Sequence, residues 1–195
     1  MRAAWYAEFG EAKDIFQTGE QDAPSAGDGE VLVRVHASGI NPLDVKRRAG
    51  LRGPMMGDMM IPHFDGAGVI EAVGAGVDAG RVGERVWLFE GHMRRANGTA
   101  AEYIALDATR ANLLPEGQGF AAGACLGIPA MTAHAAVFTD GPVDGQTILV
   151  TGAAGAVGNY AVQMARNGGA TVIGTVSSDE KAALALEDGA THTIN

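Results

Sequence analysis

Hydrophobic and polar positions change their period part-way along the chain. Up to about residue 117 the apolar residues come in short runs with strand spacing. Val31, Val33 and Val35 alternate with Leu32, Arg34 and His36, which gives one face to a core and the other to a more polar side. Gly66–Val73 (GAGVIEAV), Arg85–Phe89 (RVWLF) and Glu102–Leu106 (EYIAL) read as further strands. Turn formers separate these runs: Gly27-Asp28-Gly29, Gly74-Ala75-Gly76 and Asn97-Gly98. Strands at this spacing predict a small barrel or sandwich. A short helix is expected over Leu43–Ala49, just after Pro42.

From about Phe120 the texture changes. Ala130–Phe138 has helical spacing. Gln146–Val150 (QTILV) is apolar without alternation, the mark of a strand buried on both faces of a parallel sheet. A glycine turn follows, then a helix over Ala156–Asn167, a strand over Thr171–Val176, a helix over Asp179–Asp188 and a strand over Thr191–Asn195. This βαβαβ order is the first half of a doubly wound Rossmann sheet, so the expected class is α/β. The expected division is a first domain over 1–117, then hinge helices and the start of the Rossmann domain over 118–195. In a complete doubly wound sheet the first strand is interior. Here it would form an apolar edge with unpaired backbone groups. The chain therefore reads as truncated, part of a longer polypeptide; the alternative is a natural short form whose edge a partner covers.

Composition narrows the function classes. Of 195 residues, 47% are hydrophobic, enough for a packed core. A net charge of −9 argues against nucleic acid or an anionic membrane surface as a general partner. The single cysteine, Cys125, excludes an intramolecular disulfide and any zinc site built from several cysteines. It is expected to be a packed core residue. No apolar run approaches membrane-spanning length and no signal peptide is visible, so a cytoplasmic protein is expected.

The chemistry concentrates in Gly152-Ala153-Ala154-Gly155-Ala156-Val157-Gly158. Glycines three apart, between a strand and a helix, suit a dinucleotide pyrophosphate. Gly155 admits close backbone approach, Gly158 allows tight helix–strand packing, and the helix start aims N–H groups at the phosphates. NAD sites place an acid at the tip of the second strand, on the ribose hydroxyl. Here the strand ends Thr175-Val176-Ser177-Ser178, with no acid and two hydroxyls at the tip and Lys181 within one turn. Hydroxyls and a cation suit a 2′-phosphate, so NADPH is expected ahead of NADH, although Asp179 and Glu180 stand adjacent.

These residues carry a wider resemblance. GINPLDVKRRAG (39–50), GAGVIEAVGAGV (66–77), GERVW (83–87), AEYIAL (101–106), VTGAAGAVGNYAVQMA (150–165) and GTVSSDEKAALALEDGA (174–190) resemble the zinc-free quinone oxidoreductase (zeta-crystallin-like) branch of the medium-chain dehydrogenase/reductase family. The resemblance implies a GroES-like β-barrel followed by a Rossmann domain. It also implies that zinc is absent: zinc-dependent relatives use Cys, His and Cys where this chain has Asn41, Phe64 and Ile128. Asp44 and Asp65 remain, but two separated acids do not make a zinc site. His63, beside the lost ligand position, reads as an ordinary loop histidine, and His36, His92, His134 and His192 show no converging spacing.

By resemblance, Asn41 faces the nicotinamide and substrate cleft, and Thr132 approaches the nicotinamide. Ala154, Gly155, Ala156 and Val157 form the pyrophosphate loop, and Ser177 and Lys181 meet the 2′-phosphate. Lys46 stands where the family commonly has tyrosine. The implied activity is metal-free hydride transfer from NADPH to a quinone, with Asn41 donating a hydrogen bond to the acceptor oxygen. Reduction of activated C=C bonds (enones, enoyl thioesters) is the alternative within enzymes. A non-catalytic dinucleotide-binding or structural protein is the alternative from another class. The small-molecule acceptor is the expected partner, with no membrane, and homodimerisation is allowed.

Overall fold

A computed structural model describes residues 1–195. It divides into two compact units, Met1–Ile128 and Pro129–Asn195. Residues 118–128 therefore pack with the first unit. No helix is long and apolar enough to cross a membrane.

The first unit opens with a hairpin, β1 (Arg2–Trp5) against β2 (Gln17–Glu20), around the short α1 (Ala12–Ile15). β3 (Glu30–Gly39) follows, then α2 (Pro42–Arg48) and β4 (Asp65–Val73). β5 (Arg85–Leu88), β6 (Tyr103–Asp107) and β7 (Ala111–Leu113) complete an antiparallel sheet in the order β6-β3-β4-β5-β7. The alternation in β3 works as its pattern implies. Val31 and Val33 are fully buried, and with Ile70, Val86, Leu88, Ile104 and Leu106 they form the core of this unit. Full burial of each such side chain contributes roughly 1.5–3 kcal/mol. A bulge falls at His36, which has no partner in β4 because Val35 pairs with Gly68 and Ala37 with Ala67. Isolated bridges Ala3–Ala101 and, just after β1, Tyr6–Met60 tie this hairpin to the rest of the unit. α3 (Phe120–Gly123) lies against β3 and β4, where Gly123 leaves room for Ala67 and Leu114.

The second unit holds α4 (Met131–Phe138), β8 (Thr147–Val150), α5 (Ala156–Asn167), β9 (Thr171–Thr175), α6 (Asp179–Glu187) and β10 (His192–Ile194). The strands are parallel, in the order β10-β9-β8. α5 buries Gly158, Ala161, Val162 and Ala165, the i, i+3, i+4, i+7 stripe of a core-facing helix. Against it pack Val150, Ala153, Val172 and Ala185. Within these residues β8 pairs only with β9 and Leu149 is 59% exposed, the apolar edge expected of a first strand that lacks a neighbour on its other side. One correction concerns Cys125. It is exposed, in the turn after α3, and is not a core residue.

Candidate functional site

The glycine loop between β8 and α5 is held by the tip of the neighbouring strand. The N–H of Gly152 donates to Thr175 Oγ1 at 3.0 Å, and the N–H of Ala153 donates to the Thr175 carbonyl at 2.9 Å. Gly152 sits at φ +65°, in the left-handed region that glycine enters without penalty. The loop presses so closely on α5 that a Cβ on Gly158 would lie 2.2 Å from the Gly152 carbonyl oxygen. A Cβ on Gly174 of β9 would lie 2.7 Å from the side chain of Ala153. The N-cap of α5 is Gly155, so no side chain satisfies the first-turn N–H groups. They are free to meet an anion.

Beside this loop lies a cleft of about 340 Å³, lined by Gly152, Ala154, Gly155, Thr175, Val176, Ser177 and Lys181. Lys181 Nζ donates to Ser177 Oγ at 2.9 Å. Ser178 caps α6, its hydroxyl accepting from the Lys181 N–H at 3.3 Å. The cap aims the first turn of α6 so that the exposed lysine turns back over the strand tip. Ala154, Gly155, Ser177 and Lys181 thus line one cleft, with Ala156, Val157 and Gly158 at the adjoining helix start. Thr132 is exposed on α4. Thr175 was not singled out from the sequence. Its signal was a hydroxyl at the end of the strand beside the glycine turn.

In the first unit a polar network surrounds Asn41. Asn41 is the N-cap of α2 and is 8% exposed. Its backbone N–H donates to Asp44 Oδ2 at 2.7 Å, closing the first turn behind Pro42. Its side-chain Nδ2 donates to Asp65 Oδ2 at 2.8 Å, and the Ile128 N–H donates to that same oxygen at 2.8 Å. Asp65 is fully buried at the head of β4. Thr99 Oγ1 holds its backbone carbonyl at 2.6 Å, and Ser38 Oγ bridges Thr99 Oγ1 and His63 Nδ1, each at 2.8 Å. His63 is therefore tied into the network rather than loose, at φ +77°.

Burial controls the electrostatics of this region. It raises Asp44 to about 6, against the hydrogen bond from the Asn41 backbone. It also raises Asp65, against the hydrogen bonds from Ile128 and Asn41. His92 is 1% exposed and edge-on to Phe64, with neither ring nitrogen partnered by protein. Burial first, and then Arg47, lower it to about 3. Lys46 is exposed on α2.

The positions of the three relatives' zinc ligands do not fit a zinc ion. Phe64 is a core side chain, 1% exposed, under the Arg47 guanidinium at 5.8 Å. Ile128 offers this place only its backbone N–H. Asn41 is engaged with Asp65. No group of three or more His, Cys, Asp or Glu side chains converges anywhere in the chain.

The fold and these loops have known counterparts. A family model described as alcohol dehydrogenase GroES-like domain matches residues 27–116, and one described as zinc-binding dehydrogenase matches residues 156–195. Quinone oxidoreductase of Rattus norvegicus is 38% identical over 196 residues, covering 100% of this chain and 58% of the relative. The chain belongs to the medium-chain dehydrogenase/reductase family. Among solved dehydrogenase/reductase structures, quinone oxidoreductase of Escherichia coli complexed with NADPH superposes with a TM-score of 0.84 at 29% identity, over 100% of this chain and 58% of that one. A crotonyl-CoA carboxylase/reductase in complex with NADP superposes with a TM-score of 0.91 at 25% identity, over 100% of this chain and 57% of that one. The chain thus spans about 58% of the length of the quinone oxidoreductases it matches. The first unit is the GroES-like domain and the second is the start of the Rossmann domain.

Proposed function

We propose that the protein is an NADPH-dependent oxidoreductase that reduces a quinone without zinc. The observation that carries the reading is the contact between Lys181 Nζ and Ser177 Oγ over the glycine-loop cleft. A cation and a hydroxyl at the end of the second strand fit a 2′-phosphate, where an NAD site would place an acid. The cradle fits the rest of the dinucleotide: Gly158 lets α5 start close to the loop, and the uncapped N–H groups there fit a pyrophosphate. NADPH complexes among the related structures support the same cofactor.

When bound, NADPH supplies the hydride. Ser177 and Lys181 would hold its 2′-phosphate and Ala154–Gly158 its pyrophosphate, with Thr132 on the nicotinamide side by the family resemblance. Asn41 keeps one Nδ2 proton on Asp65 and offers the other to the acceptor oxygen as negative charge develops there. The absence of fit for zinc at Asn41, Phe64 and Ile128 leaves proximity and this hydrogen bond as the means of catalysis. Quinones need little more.

A second reading, reduction of an activated C=C bond, is favoured by the likeness to a crotonyl-CoA carboxylase/reductase. The test is NADPH oxidation by the purified, metal-chelated full chain, followed at its absorbance band, with a panel of quinones and enones. Turnover of quinones that survives chelation is expected. Turnover of enones alone would replace the first reading with the second. Saturable NADPH binding without turnover of any acceptor would make the protein a non-catalytic dinucleotide binder.

A further inference from the structure

We propose that Asp65 is a positioning residue that orients the Asn41 amide, its carboxylate joining three separate chain segments. The three are the start of α2 through Asn41 Nδ2, the head of β4 through Asp65 itself, and the short π-helix Leu126–Ala130 through the Ile128 N–H. Both donors reach the same oxygen, Oδ2, at 2.8 Å. The other oxygen, Oδ1, is buried without a protein partner. It faces Gly127, where a Cβ would lie 2.1 Å from it.

The pocket around Asp65 is built to hold it still. Thr99 grips its backbone carbonyl, and Gly66 leaves only 2.9 Å between an added Cβ and the Thr99 methyl. A Cβ on Gly39 would lie 2.1 Å from the Ala124 carbonyl oxygen and 3.1 Å from Asp65 Cβ. Backbone and side chain of Asp65 are thus clamped from opposite ends.

The charge on Asp65 decides which way Asn41 points. With the amide reversed, its carbonyl oxygen would stand at hydrogen-bond distance from a carboxylate oxygen, an acceptor against an acceptor. The amide is therefore locked with nitrogen toward Asp65. A charged acceptor also makes the stronger hydrogen bond. The second Nδ2 proton is then held in one direction. That its target is the acceptor oxygen rests on the function proposed above; the lock itself does not.

The test uses the full chain with Asp65→Asn and Gly127→Ala, read by the Asn41 side-chain amide resonances and by steady-state kinetics. Asp65→Asn keeps the shape and an oxygen for both donors but removes the charge. Gly127→Ala keeps the charge but pushes the carboxylate off its seat. In the native protein one Asn41 Nδ2 proton should resonate far downfield of an ordinary amide and exchange slowly. Both variants should move it back while the folded spectrum persists. Both should lower kcat with quinone by about tenfold to a hundredfold, the cost of a misdirected reacting group, with KM for NADPH unchanged. Asn41 resonances unchanged in both variants would overturn the lock. Shifted resonances with unchanged kcat would overturn the positioning role. If no acceptor oxidises NADPH even in the native protein, the function proposed above fails, and the amide resonances still decide the lock.

Discussion

Gly158→Ala sets two physical effects against each other, and their balance fixes a sign. Gly158 lies in the first turn of α5, and alanine in a helix is favoured over glycine by up to about 1 kcal/mol. Propensity alone therefore predicts stabilisation. The structure predicts the opposite. The added Cβ would meet the Gly152 carbonyl oxygen at 2.2 Å, the Gly152 carbonyl carbon at 2.8 Å and Ala153 Cα at 3.0 Å. All three obstacles are backbone, and that backbone is pinned to Thr175 by two hydrogen bonds, so it cannot yield as a flexible side chain would. Overpacking of this kind costs about 1–3 kcal/mol, towards the upper end where only backbone can move. The net expectation is a loss of about 1–2 kcal/mol, or roughly 2–8 °C in Tm for a protein of this size. NADPH affinity should fall with it, because the loop that recedes is the one proposed to hold the pyrophosphate. Gly155→Ala is the control. Its Cβ would meet only the Gly152 oxygen at 3.2 Å, in an ordinary extended backbone. It should keep its Tm and lose NADPH affinity alone. Thermal melts by circular dichroism and titration of NADPH fluorescence measure both quantities. A Gly158→Ala protein with a raised Tm and unaltered NADPH affinity would refute the close approach of loop and helix.

Other outcomes follow from single contacts. Lys181→Met should weaken NADPH binding by about tenfold, the scale of one exposed charge-assisted hydrogen bond, and leave NADH binding unaltered; equal losses for both cofactors would place the lysine away from the 2′-phosphate. His92 should give an acid-sensitive stability. Its folded pKa is about 3, below the ordinary 6.5, so its neutral burial is fully compatible with folding above pH 6.5 and becomes a liability as pH falls towards 3. At pH 5 the liability is about 2 kcal/mol. Asp44, raised to about 6, slopes the other way between its two values, so the native profile mixes both. His92→Phe isolates the histidine. Urea midpoints should rise relative to the native protein at pH 5 and by much less at pH 8, and a difference independent of pH would show that His92 does not titrate as a buried, unpartnered ring.

The second unit was largely legible before any coordinates. Ala156–Asn167 forms the helix with the bounds its pattern implies, because a stripe at 158, 161, 162 and 165 has no alternative reading at that length. The strands over 171–175 and 192–194 lie within the expected runs. QTILV shows the apolar run of a strand suited to neighbours on both sides, and its exposed edge among the three strands here follows from the strand order of a doubly wound sheet. Cys125 misled because residue type carries a burial preference that one turn can override. In the first unit, the hairpin of β1 and β2 and the short β7 went unseen. Four- and three-residue strands give too few positions for a period, and their pairing is decided by partners far along the chain. The Asn41 network was half visible. The sequence places Asn41 beside Pro42 at the start of an expected helix and leaves Asp44 and Asp65 as two separated acids. Nothing local joins Asn41 to Asp65, Thr99 and Ile128, since that closure spans 63 residues between Asp65 and Ile128.

The seat of Asp65 also bears on how this chain can change over generations. A cysteine at 41 would strip the buried carboxylate of one of its two donors before any metal arrives to compensate. A histidine at 64 would put a polar ring into a core position that is 1% exposed. A cysteine at 128 would leave the backbone N–H where it is and add a thiol with no companion ligands. Each step alone lowers stability, and only their combination, with Asp65 itself displaced, makes room for an ion. The carboxylate therefore acts as a barrier: because it holds the three segments together, each single substitution towards a metal-ligand set costs folding stability.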